Sequence, residues 1–91
     1  MSYEIELSTR AMARFSSYSL AERQTVVAGL AKLAESPTAV SRRSAPPAEL
    51  PSFQVYEFWH NSAVLFKILF KYKSDEETLH IHSFGRIEYG N

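Results

Sequence analysis

The sequence contains no cysteine, only three glycines and no excess of charge, ten Lys plus Arg standing against ten Asp plus Glu. The missing cysteine excludes a disulfide framework, a thiolate metal site and a thiol nucleophile. Gly29, Gly85 and Gly90 lie far apart or at the chain end, so no glycine-rich phosphate loop exists and no nucleotide cofactor is expected. A net charge of zero excludes attachment to nucleic acid by bulk charge, because that affinity comes from counterion release by Lys and Arg. No apolar run approaches the roughly 18 residues a membrane span needs. The first 25 residues carry charge throughout, which argues against a signal peptide. A cytoplasmic location away from membranes is the expectation.

What is present is enough for one domain over residues 1–91. Hydrophobic residues make up 45% and charged residues 22%, the balance of an ordinary folded chain rather than a disordered one. Tyr3, Ile5 and Leu7 alternate with Glu4 and Glu6, the period of a strand with one wet face. Ser8 then suits the cap of a helix with Ala11, Met12, Phe15 and Tyr18 on one stripe. Ser19 and Glu22 form a capping box for a second helix, whose inward residues are expected to be Leu20, Val26, Val27, Leu30, Leu33 and Ala34. Pro37 supplies its stop. All four prolines fall between Ser36 and Ser52, which reads as a long irregular connection carrying the Arg42-Arg43 pair.

Three further strands follow. Phe53 to Trp59 and Ala63 to Lys73 form a hairpin about His60-Asn61-Ser62, and Leu79 to Phe84 follows the acidic turn Ser74 to Glu77. The expected architecture is α+β: a two-helix hairpin packed on one face of a mainly antiparallel four-stranded sheet, in the order β-α-α-β-β-β.

Parity then sorts the uncovered face. Burying Phe66, Ile68, Phe70, Leu79 and Ile81 leaves Lys67, Lys71, Lys73, His80 and His82 together on the other side, a local positive groove that Glu4 and Glu6 dilute. In the second strand, Tyr56 and Phe58 are expected inward with Val55, Glu57 and Trp59 on the open face, because burying a lone carboxylate is expensive. His80 and His82 stand about 6.5–7 Å apart along the strand. They suit proton transfer, phosphate contact or plain exposure; a metal would need a third ligand from His60 or Glu57, and none is expected. Trp59 is placed either to stack on a base or to pack within the hairpin.

Three stretches resemble the RelE/ParE superfamily of bacterial toxins, which pair with antitoxins. YEIELSTRAMARF resembles that family's opening strand and helix, and AERQTVVAGLAKLAESP its second helix. FKILFKYKSDEETLHIHSFGRIEY is similar to its ending: strand, acidic turn, strand, then a basic residue shortly before an aromatic. Lys67 stands where the family usually has Arg, and Phe84-Gly85-Arg86 where it often has Gly-His-Arg. The resemblance implies a toxin that cleaves messenger RNA on the ribosome without a metal. By the motif match Lys67 and Arg86 would hold the scissile phosphate and Tyr89 move a proton; Glu57 or His82 are candidates for the same task on the geometry of the open face alone. Lys71, Lys73, His80, Arg42, Arg43 and Trp59 would contact RNA. The implied partners are a cognate antitoxin, the ribosome and its message, and a second copy in a homodimer. The alternatives are a gyrase-inhibiting toxin or a member that only binds a partner.

Overall fold

The structure, a computed structural model, describes residues 2–90. Its elements in chain order are β1 (Glu4–Leu7), α1 (Thr9–Ser17), α2 (Leu20–Glu35), α3 (Pro37–Val40), β2 (Arg42–Arg43), β3 (Gln54–Trp59), β4 (Val64–Tyr72) and β5 (Thr78–Glu88). The sheet has five strands in the order β1-β5-β4-β3-β2, with β1 parallel to β5 and the other pairings antiparallel.

The α+β class stands, and two details of the expectation are corrected. The sheet is five-stranded and mixed, because the stretch read as irregular contains β2, which pairs Arg42 with Val55 and Arg43 with Gln54. Among the described residues there are also three helices. Pro37 does stop α2, but it then opens α3 from the first helical position, where a missing N–H costs nothing.

Both helix starts behave as their residues dictate. The Ser8 hydroxyl accepts from the Ala11 amide, and Ser19 and Glu22 complete a reciprocal capping box. The inward stripe of α2 is Val26, Gly29, Leu33 and Ala34, with Leu30 half-buried. Leu20 and Val27 point outward instead, as does Met12 on α1, because they fall beside the stripe rather than on it. Gly29 belongs on that stripe for a steric reason. A Cβ there would lie 2.6 Å from the tip of the Phe58 ring, so any side chain at this position would force that ring to shift.

The core lies between the helices and one sheet face. Phe66, Ile68 and Phe70 of β4 and Leu79 and Ile81 of β5 are wholly buried there with Ala11, Val26 and Leu33. Tyr56 joins them and Phe58 packs against them, so the preferred parity of β3 holds. Tyr3, Ile5 and Leu7 close the β1 edge, and the Tyr3 amide donates to the Ala34 carbonyl at 2.8 Å.

One irregularity in the sheet matters for everything that follows. Leu69 pairs with Ser83 but Phe70 pairs with Ile81, leaving His82 as an extra residue in β5. The His82 carbonyl released from the ladder accepts from the Ser8 hydroxyl at 2.7 Å. Because side chains alternate with period two, one inserted residue exchanges the faces of all that follow it.

Candidate functional site

The uncovered sheet face is built in rungs across the strands. Arg42, Val55, Leu69 and Ser83 form one rung; Glu57, Lys67 and Gly85 the next; Trp59, Leu65 and Ile87 the last. On the other side of the bulge, Lys71 stands beside His80 and His80 beside Glu6. Glu57 and Trp59 therefore share this face with Lys67, as the sequence implies.

The bulge decides where the end of β5 points. Arg86 is opposite Phe66, on the helix side of the sheet, and its Nε donates to Glu22 of α2 at 2.8 Å. It also reaches Glu88 at 3.1 Å. Lys67 and Arg86 are thus on opposite faces, and the expected pair at one phosphate is not assembled. Tyr89 moves the other way: its ring packs on Trp59 with centroids 5.5 Å apart, while its amide donates to the Ala63 carbonyl. Trp59 and Tyr89 are both more than half exposed, which makes them an aromatic step at the hairpin end.

Residues 44–53 cross this face, and a residue that the sequence reading passed over holds them there. Glu49 is only 8% exposed. Its Oε2 accepts from Lys67 Nζ and Arg42 Nη2, both at 2.8 Å. Its Oε1 accepts from Arg42 Nη1 at 2.9 Å and from the Ala45 amide at 2.7 Å. Glu57 lies just beyond, 3.3 Å from Arg42 and 3.8 Å from Lys67. Hydrogen bonds from Arg42, then Lys67, hold the Glu49 carboxyl far below the usual carboxylate range, and the same pairing pushes Arg42 up. The signal for Glu49 was available: it is the one acidic residue between Ser36 and Ser52, a stretch that also holds the arginine pair.

The remaining cations of the expected groove have partners too. Lys71 sits over the Phe53 ring, 4.5 Å from its centroid, and the His82 ring packs on the same Phe53 at 4.8 Å. Lys73 donates to Glu6 at 2.9 Å, and His80 Nδ1 meets the other oxygen of that carboxylate. Glu6 is held below its ordinary value by Lys73 first and His80 second. Arg43 is exposed on β2. His60 bonds Thr25 of α2 through Nδ1 at 2.7 Å, away from His80 and His82. Among the described residues no three His, Cys, Asp or Glu side chains gather as a metal site.

The arrangement offers one fixed ammonium, one guanidinium fork and two carboxylates beside an aromatic step. Gly85 leaves the sheet bare next to Lys67, since a Cβ there would meet nothing nearer than the Lys67 Cβ at 3.7 Å.

No family model matches the sequence, and no curated protein matches it. Solved structures do match. The toxin–antitoxin complex RelBE2 from Mycobacterium tuberculosis is similar with a TM-score of 0.72, at 15% identity, over 99% of this chain and 100% of the matched one. The intact RelBE toxin–antitoxin complex of E. coli matches with a TM-score of 0.67 at 18% identity, over 94% of this chain and 98% of that one. A mutant of the E. coli toxin RelE in the free state gives 0.66 at 18%, over 93% and 83%. The protein therefore has the RelE fold along essentially its whole length.

Proposed function

We propose that this protein is the toxin of a toxin–antitoxin pair and that it cleaves messenger RNA on the ribosome with the Lys67 end of its open sheet face. The observation that carries the reading is the likeness to RelE and RelBE structures over 93–99% of the chain. The matched complexes hold a toxin with its antitoxin, so a cognate antitoxin is the partner proposed here.

In this reading the ribose 2′-hydroxyl gives its proton to a base and attacks the neighbouring phosphorus. The P–O5′ bond breaks to leave a 2′,3′-cyclic phosphate, and the departing 5′-oxygen takes up a proton, with no metal needed. The Lys67 ammonium stabilises the charge that grows on the phosphate oxygens, with Arg42 as the second cation in place of Arg86. Glu57, Tyr89 and His82 are the groups on this face able to move the proton. Trp59 stacks on a base, and Lys71, Lys73, His80 and Arg43 lie along the path of the strand. Arg86 acts as a positioning residue: its bond to Glu22 pins the end of β5 and with it Tyr89.

A second reading, a member that only binds its partner, is favoured by the pairing of the open-face cations. Expression in cells separates the two. Growth arrest with message breaks at ribosome-occupied codons supports cleavage, and arrest with intact messages and altered DNA supercoiling moves the target to gyrase. Normal growth, with a stable complex to the product of the adjacent gene burying about 1,600 Å², leaves the binding reading.

A further inference from the structure

We propose that Arg42 and Lys67 form a phosphate subsite which the chain keeps closed with its own Glu49 carboxylate, and that an RNA phosphodiester enters by displacing the loop of residues 45–52. The inference rests on the RNA reading above and adds to it a gate.

The loop is built the wrong way round for a structural cover. Ala45, Pro46, Pro47, Ala48, Leu50, Pro51 and Ser52 are all exposed, and Glu49 alone is buried. A loop anchored for stability buries its apolar residues and leaves its charge in water. Here Leu50 is half exposed while the carboxylate goes inside. What this loop delivers to the sheet is a carboxylate.

The site it fills has the donors of a phosphate site. A guanidinium fork, an ammonium and one backbone N–H meet two oxygens that share one negative charge. A phosphodiester presents the same two oxygens and the same charge, and the arginine fork suits either. Arg42 and Lys67 are held from the sheet side as well, by Glu57, so they keep their places when Glu49 leaves. The ends of the loop are tied independently of its tip, by the Ser44 amide donating to the Phe53 carbonyl at 2.9 Å. Opening therefore breaks the Glu49 contacts and uncovers part of Val55 and Leu69, while the helix-side core stays packed, which keeps it a local motion. The vacated position lies between Arg42 and Lys67, and the next rung of the same face carries Trp59, which packs on Tyr89 and offers a neighbouring base a ring to stack on.

Binding of a fluorescein-labelled single-stranded RNA, followed by anisotropy at low salt, tests the gate. Glu49→Gln keeps the shape and removes the charge, so RNA should bind about 10- to 100-fold tighter than to the unaltered chain. Adding Lys67→Ala or Arg42→Ala to Glu49→Gln should abolish the gain. RNA should also speed hydrogen exchange at the Ala45 amide of the unaltered protein. If Glu49→Gln is too unstable to measure, Glu49→Asp shortens the reach by one methylene and should give a smaller gain in the same direction. Cleavage by the unaltered protein with no gain in either variant overturns the gate and leaves the function standing. Failure of every form to bind RNA, together with intact messages in expressing cells, overturns the function and the gate with it.

Discussion

Successive residues of β4 belong to two differently held surfaces. Phe66, Ile68 and Phe70 face the helices and are wholly buried, each gaining roughly 1.5–3 kcal/mol from removal of its side chain from water. Lys67, Leu69 and Lys71 point the other way, toward a layer made of one loop: Leu69 is buried there, and the two lysines are held by an ion cluster and a cation–π contact. The first surface rests on non-directional burial and needs only apolar shape. The second rests on charge pairs that another charge can replace. The contrast teaches that apolar burial and replaceable charge pairing are divided between the faces of a single strand.

The largest effect should come from the helix side. Phe66→Ala should lower the unfolding free energy by about 3–5 kcal/mol in a urea titration. Lys67→Ala, one residue away, should cost less, about 1–2 kcal/mol from the Glu49 pair it breaks, yet in the proposed reading reduce message cleavage by about 10²–10³. Equal stability losses from the two would dissolve the division between faces.

Arg86 sharpens it further. Because its guanidinium is across the sheet from Lys67, Arg86→Ala should, in the proposed reading, lose far less cleavage than Lys67→Ala, with only a small stability loss from the broken surface pair to Glu22. A rate loss as deep as that of Lys67→Ala would place Arg86 at the phosphate after all. Gly29→Ala tests the covered face at its tightest point. The added methyl improves helix propensity by about 1 kcal/mol but collides with Phe58, and overpacking of about 1–3 kcal/mol should leave a net loss near 1 kcal/mol by thermal unfolding.

The smallest effect is the pH response of the loop. Glu49 has its pKa lowered on folding by Arg42 and Lys67, with the Ala45 amide adding to the effect and Glu57 the other charge facing the same cations. Its contribution is complete above the unfolded value of about 4.3 and declines as pH falls below it. The stability difference between the unaltered protein and Glu49→Gln should therefore be flat from pH 7 to 5 and shrink toward pH 3. A difference that grows on acidification would contradict the pairing.

The sequence by itself determined the elements and the buried side of the sheet. The alternation through Phe66, Ile68 and Phe70, the capping box at Ser19 and Glu22, and the preference for Glu57 outward over a buried carboxylate all rest on interactions within a few residues. The tertiary structure alone decided the composition of the site. His82 bulges where the Ser8 hydroxyl, 74 residues earlier, takes its carbonyl, and that one inserted residue sends Arg86 to the helices and Tyr89 to Trp59. Glu49 meets Lys67 across 18 residues of chain through a loop with no periodicity of its own. Register and ion pairing between distant segments depend on how the chain returns on itself, and local propensity carries no record of that.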